Sequence, residues 1–376
     1  MRVPIWRSEL LLEIFGLVLW ALHFSIPLTY FTYLRRYARR PWNVKVDKQY
    51  QPQLTVILPT YNESELIEKR LENLVTQDYP PNKLEIVVVD SASTDGTAAI
   101  VEDWLKRKSE ISAKLIRESA RAGKFRALTH ATEAIHPTSE VIVLTDADAY
   151  WEPNALSEVT SFLADPRVGA VTGTIFYVED SGALSEDTYR NFSNIVHLAE
   201  SKLYSTPVFN GPLCAFRTEL LRKIGFPNFP GSDDSAFGSF VALSGYRAIQ
   251  ADTAVVREYV RGNRFRRKIR RATCLLLNFH NTKRYAKKMN LYVRSNFDNI
   301  WRTDWWLCVV NPWLLIASIP FLVVGAFDDS KIAAGLLLIN TLLLLLKPYR
   351  TWVLQQLYLI LGALRSLWTN EEVWNR

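Results

Sequence analysis

The feature that most constrains this chain is the concentration of apolar residues towards its two ends. Residues 10–34, LLLEIFGLVLWALHFSIPLTYFTYL, are almost wholly apolar and exceed the roughly 20 residues that a helix needs to cross a bilayer. The basic sequence RRYARR follows this run directly. A cleaved secretory signal has its positive charge before the apolar run and a small-residue cleavage site after it. The order found here predicts an anchor that stays in the membrane.

Two further apolar runs, residues 305–327 and 332–346, are separated by a short turn that contains Asp328 and Asp329. They predict a helical hairpin that crosses the membrane twice. A third run, residues 351–368, carries two glutamines and an arginine. It is compatible with a span and equally with a helix lying in the membrane interface.

Basic residues flank these runs and predict their orientation. Four arginines lie between residues 35 and 40, and Lys347 and Arg350 follow the hairpin. Because positive flanks stay on the cytoplasmic side, the central polar region is expected to be cytoplasmic in a multi-pass protein of the cell membrane. Contact with anionic lipid explains the net charge of +7 without nucleic acid as a partner. The three cysteines show no metal-ligand spacing and are expected to be buried thiols.

Residues 53–254 alternate between aliphatic, strand-like stretches and stretches with apolar residues at helical spacing. This order predicts an α/β fold with a mainly parallel sheet covered by helices on both sides. Such sheets bind ligands at the carboxyl ends of their strands. The acidic residues at these ends are Glu63, Asp90, Asp146 and Asp148.

The stretch VIVLTDADAYW, residues 141–151, delivers two carboxylates to one place. Side chains two positions apart on a strand point to the same face, so Asp146 and Asp148 converge if the strand continues to them. Like charges that close are costly unless something positive lies between them. One interpretation is a site for Mg²⁺ or Mn²⁺, held by one or two carboxylates plus phosphate oxygens. The other is a solvated loop in which aspartates form turns.

Asp90 ends another strand and precedes SASTDGT, a turn-rich loop whose N–H groups and hydroxyls suit a sugar–phosphate ligand. Neither GxGxxG nor GxxxxGK[ST] occurs there, which argues against a dinucleotide fold and against a P-loop. The ligand would then be a nucleotide held by Asp90, with its diphosphate clamped by a metal at residues 146–148.

A second acidic pair, Asp233 and Asp234, follows the loop GFPNFP and precedes a helix-like run. The pair is interpreted either as the cap and acidic first turn of a helix or as the site of a general base. The basic run that follows, residues 257–272, is by itself compatible with contact to a membrane surface.

Taken in order, these motifs resemble those of family 2 glycosyltransferases of GT-A fold. The resemblance is to membrane-integrated members such as cellulose and hyaluronan synthases and polyprenyl-phosphate-dependent enzymes. ILPTYNE resembles the strand and loop that line the nucleotide base, which implies contacts from Pro59, Tyr61 and Glu63. VVVDSASTDGT resembles VVDDGSTDGT with Ser91 in place of the second aspartate, which leaves Asp90 to hold the uracil or ribose.

The remaining motifs imply the other site residues. RAGKFRAL resembles the GKxxAL segment and implies that Lys124 lies near the nucleotide. TDADAYWEPNAL resembles the metal motif and implies that Asp148 binds the metal, with Asp146 sharing it or lying nearer the sugar nucleotide. In SDDSAFGSFVALSGYRA, Asp234 takes the place of the catalytic base and Asp233 lies beside it. FNGPLCAFR resembles the acceptor-side loop.

One motif departs from the pattern of the polymer-forming members. Where they carry QxxRW, this chain has FRRKIRRA, with Phe265, Lys268 and Ile269 at the Gln, Arg and Trp positions. Positive charge that could hold the leaving diphosphate remains in Arg267, Lys268 and Arg271. The tryptophan that would stack on an acceptor sugar is missing, which argues against a long-chain polymerase.

The resemblance covers about residues 53–272 and implies a division of the chain into four regions. These are an N-terminal membrane helix with its basic flank (1–40), a GT-A glycosyltransferase domain (41–260), a basic segment with amphipathic interface helices (261–304), and C-terminal membrane helices (305–376).

The implied function is that of an inverting, metal-dependent hexosyltransferase that uses a nucleoside-diphosphate sugar, with UDP favoured by the family. The acceptor would be a polysaccharide or glycan at the membrane, with or without secretion of the product. Transfer of one sugar to a polyprenyl phosphate or a lipid-linked oligosaccharide is the alternative. A transporter with a cytoplasmic regulatory domain is the alternative from another class. It predicts ionisable residues within the spans, where Glu13 is the main one.

Overall fold

A computed structural model describes residues 5–121, 123–178, 184–229, 231, 233–259 and 264–368 of the 376-residue chain. Its centre is a sheet of eight strands in the order β3-β2-β1-β4-β7-β6-β8-β5. The strands are β1 (Leu54–Thr60), β2 (Leu84–Asp90), β3 (Ala113–Arg117), β4 (Val141–Leu144), β5 (Ala149–Trp151), β6 (Val168–Val178), β7 (Cys214–Arg217) and β8 (Arg247–Tyr259).

The sheet is parallel in one half and mixed in the other. β1 pairs in parallel with β2 and β4, and β2 pairs in parallel with β3. Beyond β4, β7 joins β4 and β6 in antiparallel orientation, β8 runs parallel to β6, and β5 runs antiparallel to β8. The prediction of an α/β fold with a mainly parallel sheet is confirmed, with the addition of this antiparallel extension.

Helices cover both faces of the sheet and flank it. They are α1 (Ile5–Ala38), α2 (Ile67–Val75), α3 (Thr97–Arg107), α4 (Lys124–Glu133), α5 (Ala155–Phe162), α6 (Leu184–Leu203), α7 (Thr218–Ile224), α8 (Asp233–Leu243), α9 (Arg264–Lys288), α10 (Phe297–Trp305), α11 (Asn311–Phe327), α12 (Lys331–Leu343) and α13 (Lys347–Ser366).

Two apolar cores lie on opposite faces of the sheet, because successive strand residues alternate between its faces. Val56 of β1 belongs to the core that includes Trp104 of α3. Its neighbour Ile57 belongs to the core that includes Phe237 of α8. Every residue of β1, β2 and β4 is buried, as expected for strands covered on both faces.

The strand ends meet at one edge of the sheet and position the acidic residues. The last residues of β1 and β2, Thr60 and Asp90, are register partners, and Leu144 at the end of β4 is paired with Ile57. The strand β4 therefore ends before Asp146, and the two aspartates of the 141–151 stretch lie in the turn between β4 and β5. The condition for their convergence on one strand face, a strand that continues to them, is therefore not met.

Within the described part of the chain, two helices are long and apolar enough to cross a membrane. One lies within α1, over Leu11–Ala38, and the other runs from Phe297 to Phe327 through α10, one π-helical turn (Trp306–Val310) and α11. They pack against each other, with the rings of Phe15 and Phe321 5.1 Å apart edge to face. The second helix begins at Phe297, within the region predicted as interfacial.

The last two described helices form a broken pair. α12 and α13 meet at an angle of 102°, so this pair supplies a third candidate span only if both helices together cross the membrane. α13 packs on the basic helix α9, where Thr273 donates a hydrogen bond to the carbonyl of Gly362 at 3.2 Å. This contact joins residues 351–368 to the helix that follows the last strand of the sheet.

Candidate active site

Two of the predicted acids, Asp146 and Asp234, come together beside one glycine. A Cβ on Gly211 would lie 2.8 Å from Oδ2 of Asp234 and 3.4 Å from Oδ2 of Asp146. Two carboxylates that are 88 positions apart in sequence therefore approach the same point of backbone. Only glycine leaves room for them there, because real Cβ atoms are essentially never found 2.8 Å from another heavy atom.

Lys124 holds the first of these carboxylates. It is the first residue of α4, after Gly123 with its left-handed φ of 89°, and its Nζ lies 2.9 Å from Oδ1 of Asp146. Burial disfavours the charge of Lys124, but Asp146, Asp234 and Asp233 outweigh burial and keep its pKa above the ordinary value. Burial likewise opposes ionisation of Asp146, and Lys124 holds the pKa of that carboxyl below its ordinary value.

Arg70 supplies a second buried cation that the sequence analysis did not identify. It is 2% exposed, lies 4.3 Å over the ring of Trp151, and donates to Oγ1 of Thr145 at 2.5 Å. Burial lowers the pKa of Arg70 to about 9, and the negative charges of Asp146 and Asp148 act against that shift. Lys124 and Arg70 therefore both supply positive charge beside the two aspartates.

Asp233 and Asp234 lie in the first turn of α8, as the helix-cap interpretation predicts. Oδ1 of Asp234 accepts the backbone N–H of Ser235 at 2.8 Å. Ser235 in turn exchanges two hydrogen bonds with the backbone of Phe209, two residues before Gly211. Ser235 thus fixes the start of α8 against the loop of Gly211, and the first-turn and general-base interpretations are compatible.

Burial also changes the acidity of Asp233. Burial raises the pKa of Asp233 to about 6, Lys124 opposes the rise, and the neighbouring charges of Asp234 and Asp146 add to it. It can therefore change charge near neutral pH.

A second part of the site lies at the ends of β2 and β3. Asp90 is 3% exposed; its Oδ2 accepts the N–H of Ser93 at 3.1 Å, and its Oδ1 has no hydrogen-bond partner among the described residues. Ser91 donates to Oε2 of Glu118 at 2.6 Å. The other oxygen of Glu118 lies 2.8 Å from Nδ1 of His130, without hydrogen-bond geometry, and is otherwise unsatisfied. Glu118 was not predicted from the sequence.

The remaining base-side predictions fall at the same edge. Pro59 lies inside β1, opposite Val89 of β2. Tyr61 follows β1, and the guanidinium of Arg121 lies 3.9 Å over its ring. Glu63 is 5% exposed, and its carbonyl accepts the N–H of Ile67 at 2.9 Å, so its backbone contributes to the start of α2.

The predicted basic residues of α9 point in two directions. Arg271 lies 2.5 Å from Glu258 of β8, donates to the hydroxyl of Tyr177, and lowers the pKa of Asp146 through its charge. Arg267 lies 3.7 Å from the same glutamate. Lys268 is instead directed to α13, with its Nζ 5.3 Å from the ring centroid of Tyr358.

Arg190 of α6 completes the basic cluster and was missed by the sequence analysis. It donates to the hydroxyl of Tyr177 at 2.5 Å and to Oδ1 of Asn210 at 3.2 Å, next to Gly211. Arg190, Arg267 and Arg271 all lie within 5.6 Å of the Tyr177 ring centroid. Two of these guanidinium groups, those of Arg267 and Arg271, lie beside the carboxylate of Glu258.

Metal binding by the protein alone is not favoured by this geometry. Within the ranges that the structure describes, three or more His, Cys, Asp or Glu side chains nowhere group as a metal site would require. A divalent ion at Asp146 and Asp148 would need oxygens from a ligand, which is the usual way in which Mg²⁺ binds beside phosphates.

Residues 55–225 match the family described as Glycosyl transferase family 2, and residues 141–365 match Glycosyl transferase family group 2. The second match covers more than half of the chain. The chain belongs to the family 2 glycosyltransferases. It is therefore a glycosyltransferase enzyme, as its motifs imply, and the transporter alternative is not favoured.

A solved structure similar to this family 2 glycosyltransferase is the mannosyltransferase PcManGT from Pyrobaculum calidifontis, in complex with GDP-Man and Mn²⁺. The two sequences are 40% identical over 96% of this chain and 100% of that chain, with a TM-score of 0.83. The similarity confirms the GT-A fold.

Curated relatives of this glycosyltransferase match over shorter stretches. Hyaluronan synthase of Streptococcus pyogenes is 28% identical over 181 residues, 46% of this chain and 42% of the relative. Glycosyltransferase AglE of Haloferax volcanii is 27% identical over 144 residues, 38% and 46% of the respective chains. The chain spans less than half the length of these two relatives.

Replacing Gly211 tests whether the two carboxylates must approach the backbone there. Gly211→Ala should lower sugar transfer about 100-fold, because the added Cβ displaces Asp234 and Asp146 by a few tenths of an ångström or more. Gly335→Ala is the control, since nothing lies within 4 Å of a Cβ at that glycine. Transfer assays and thermal unfolding of both variants check the expectation, and wild-type turnover by Gly211→Ala would contradict it.

Proposed function

We propose that this enzyme is an integral membrane mannosyltransferase that transfers one mannose from GDP-mannose to a lipid-linked glycan at the cytoplasmic membrane surface. The observation that carries the proposal is the 40% identity to a GDP-Man-bound mannosyltransferase over 96% of this chain. The UDP-sugar favoured by the family resemblance is the alternative donor.

The hydrogen-bonding groups at the predicted base site support a guanine nucleotide. Guanine presents adjacent N1–H and N2–H₂ donors along one edge, whereas uracil presents one N–H donor between two acceptors. Among the described residues, Oδ1 of Asp90 and Oε1 of Glu118 are buried acceptors without a hydrogen bond, although Nδ1 of His130 lies 2.8 Å from the latter. Buried acceptors of this kind cost free energy until a donor satisfies them, and guanine has enough donors for both.

Glu118 therefore acts as a residue that selects the base. Glu118→Gln keeps an oxygen for the hydroxyl of Ser91 and loses the charged acceptor. We expect KM for GDP-mannose to rise roughly 10- to 100-fold, the effect of losing one hydrogen bond to a charged group. Glu110→Gln, at an exposed turn, is the matched control.

The donor is tested by turnover of purified enzyme with GDP-mannose, UDP-glucose and UDP-N-acetylglucosamine in the presence of Mn²⁺. Preference for GDP-mannose, reduced in Glu118→Gln and unchanged in Glu110→Gln, supports the proposal. Preference for a UDP-sugar would reject the guanine assignment and leave the glycosyltransferase family unchanged.

The residues around Asp146 and Asp234 would have different roles in an inverting displacement. Asp234 takes the proton of the acceptor hydroxyl as that oxygen attacks the anomeric carbon. Lys124 holds Asp146 in place beside it. Arg271 and Arg267 bring positive charge from α9, where Arg271 acts on Asp146, whereas Lys268 is directed to α13. The charges of the two arginines would stabilise the leaving diphosphate.

A divalent ion, Mn²⁺ or Mg²⁺, would be held by Asp148 with Asp146 and would neutralise charge on the donor diphosphate. The residues present fit such an ion, because hard carboxylate oxygens are its preferred protein ligands and phosphate oxygens complete its coordination. The neighbouring structure with GDP-Man and Mn²⁺ supports this assignment.

The two acids of α8 are expected to differ in their effects. Asp234→Asn should lower kcat by about 10²- to 10⁴-fold by removing the base. In the wild type, kcat/KM should fall as the pH drops through about 6, since protonation of Asp233 removes negative charge beside Asp234 and weakens that base.

Asp233→Asn should abolish this inflection and leave a lower, flatter profile, because its side chain stays uncharged. Asp103→Asn, on the exposed face of α3, is the control and should retain the inflection. Profiles of kcat/KM from pH 5 to 8 make the comparison. If Asp233→Asn kept the inflection, the titrating group would be a different residue. If Asp234→Asn kept full activity, Asp234 would not be the general base.

The proposed acceptor follows from the basic run after β8, which lacks the QxxRW motif of the polymer-forming members. Ile269 stands where polymer-forming members carry the tryptophan that stacks on an acceptor sugar, which supports a single transfer. The candidate membrane helices support an acceptor anchored in lipid. Sizing of products made on lipid-linked glycan tests this, with one added mannose expected. A ladder of long products would instead support the polysaccharide synthase alternative.

A further inference from the structure

A cavity of about 480 Å³ lies where the end of α6 meets the start of α10. Tyr204, just after α6, lines it on one side. Arg294 and Asn296 line it from the segment before α10, and Asn299 and Arg302 line it from α10 itself. Arg190 of α6, which contacts Asn210 next to Gly211, is 14 positions before Tyr204. This spacing corresponds to about 20 Å along a helix. The cavity is therefore separate from the donor site.

The walls of this cavity carry positive charge that the described residues do not neutralise. Neither Arg294 nor Arg302 has a carboxylate within ion-pair distance in the described part of the chain. The one acid in the wall, Asp298, is engaged by three other groups: it accepts from Lys283, from the hydroxyl of Tyr292 at 2.7 Å, and from the N–H of Ser295 at 3.1 Å. Two guanidinium groups thus remain to bind an anion.

A second cleft of about 290 Å³ adjoins the cavity and shares Arg302 with it. The other residues lining this cleft include the aromatic side chains of Phe279, Trp301 and Trp305. The candidate span begins with α10 at Phe297 and continues beyond Trp305 to Phe327, so this cleft lies further along the span than the cavity. Tryptophan is enriched at the membrane–water interface.

We propose that the cavity and the cleft together bind one anionic phospholipid of the surrounding membrane. Its phosphate lies between Arg294 and Arg302, and its polar headgroup faces Asn296 and Asn299. Its acyl chain follows Trp301 and Trp305 towards the membrane. Basic pockets beside membrane helices bind anionic headgroups in this way, and the planar guanidinium matches phosphate with two parallel hydrogen bonds.

The apolar cleft is the reason to assign a lipid rather than a free phosphate. Inorganic phosphate would pair with the two arginines but leave the aromatic cleft unfilled. A phospholipid has a phosphate for the arginines and acyl chains for the cleft. A bound lipid would also touch Tyr204 after α6 and Arg302 in α10 at once. It would therefore join the catalytic domain to the membrane helix and stabilise the pair against thermal unfolding.

The test measures thermal unfolding of the purified full-length enzyme in neutral detergent with added phosphatidylglycerol, phosphatidylcholine or inorganic phosphate. Phosphatidylglycerol should raise Tm by at least about 2 °C, and the other two should not. Arg294→Gln/Arg302→Gln should lose this rise. Arg284→Gln/Lys288→Gln removes the same charge from exposed positions of α9 outside the cavity and should keep it.

Three results would overturn the proposal. These are no rise with phosphatidylglycerol, an equal rise with inorganic phosphate, and an equal loss in both double variants, which would indicate general surface charge. If the first double variant does not fold, the single variant Arg294→Gln, in the loop before α10, replaces it. Native mass spectrometry then counts retained phosphatidylglycerol, with one molecule expected on the wild type and none on Arg294→Gln.

Discussion

The interaction on which the active site depends is the neutralisation of clustered carboxylates by buried cations. The acids of residues 146–148 and 233–234 come from two distant parts of the chain and would repel one another if left alone. Lys124 contacts Asp146 directly, and Arg70 lies buried within reach of the charges at 146 and 148. The strand ends supply the positions, but these two cations make it possible for the acids to share one cleft.

Ion pairs and hydrogen bonds also join the catalytic domain to the helices beside it. Arg271 of α9 reaches Glu258 of β8, and a hydrogen bond from Thr273 connects α9 to α13. On the other side, Tyr30 of α1 donates to Glu200 of α6 at 3.0 Å. Polar contacts thus link the sheet to α9 and α13, and the first candidate span to α6. The acidic cleft and the candidate membrane helices therefore belong to one structure.

The residues that the sequence analysis missed share a physical reason. Arg70 lies in IEKRLENLV, where alternate polar positions resemble a solvated helix face, and only the packing of α2 over Trp151 buries it. Glu118 follows the edge strand β3 with no motif around it, and Arg190 lies on a helix outside the recognised segments. Each acquires its role from a neighbour distant in sequence, which local pattern does not record. The aspartates were predictable because they follow aliphatic strands within recognisable motifs.

The sequence by itself determined the apolar segments, the order of strands and helices in the first half of the domain, and the acids at the strand ends. These features follow from local periodicity and from the rule that parallel strands present their carboxyl ends at one edge. Only the tertiary structure decided that Asp146 and Asp234 meet at Gly211 and that α13 turns back onto α9. It alone also placed Arg294 and Arg302 around a cavity. Such arrangements arise from contacts between residues far apart in the chain, and local sequence carries no record of them.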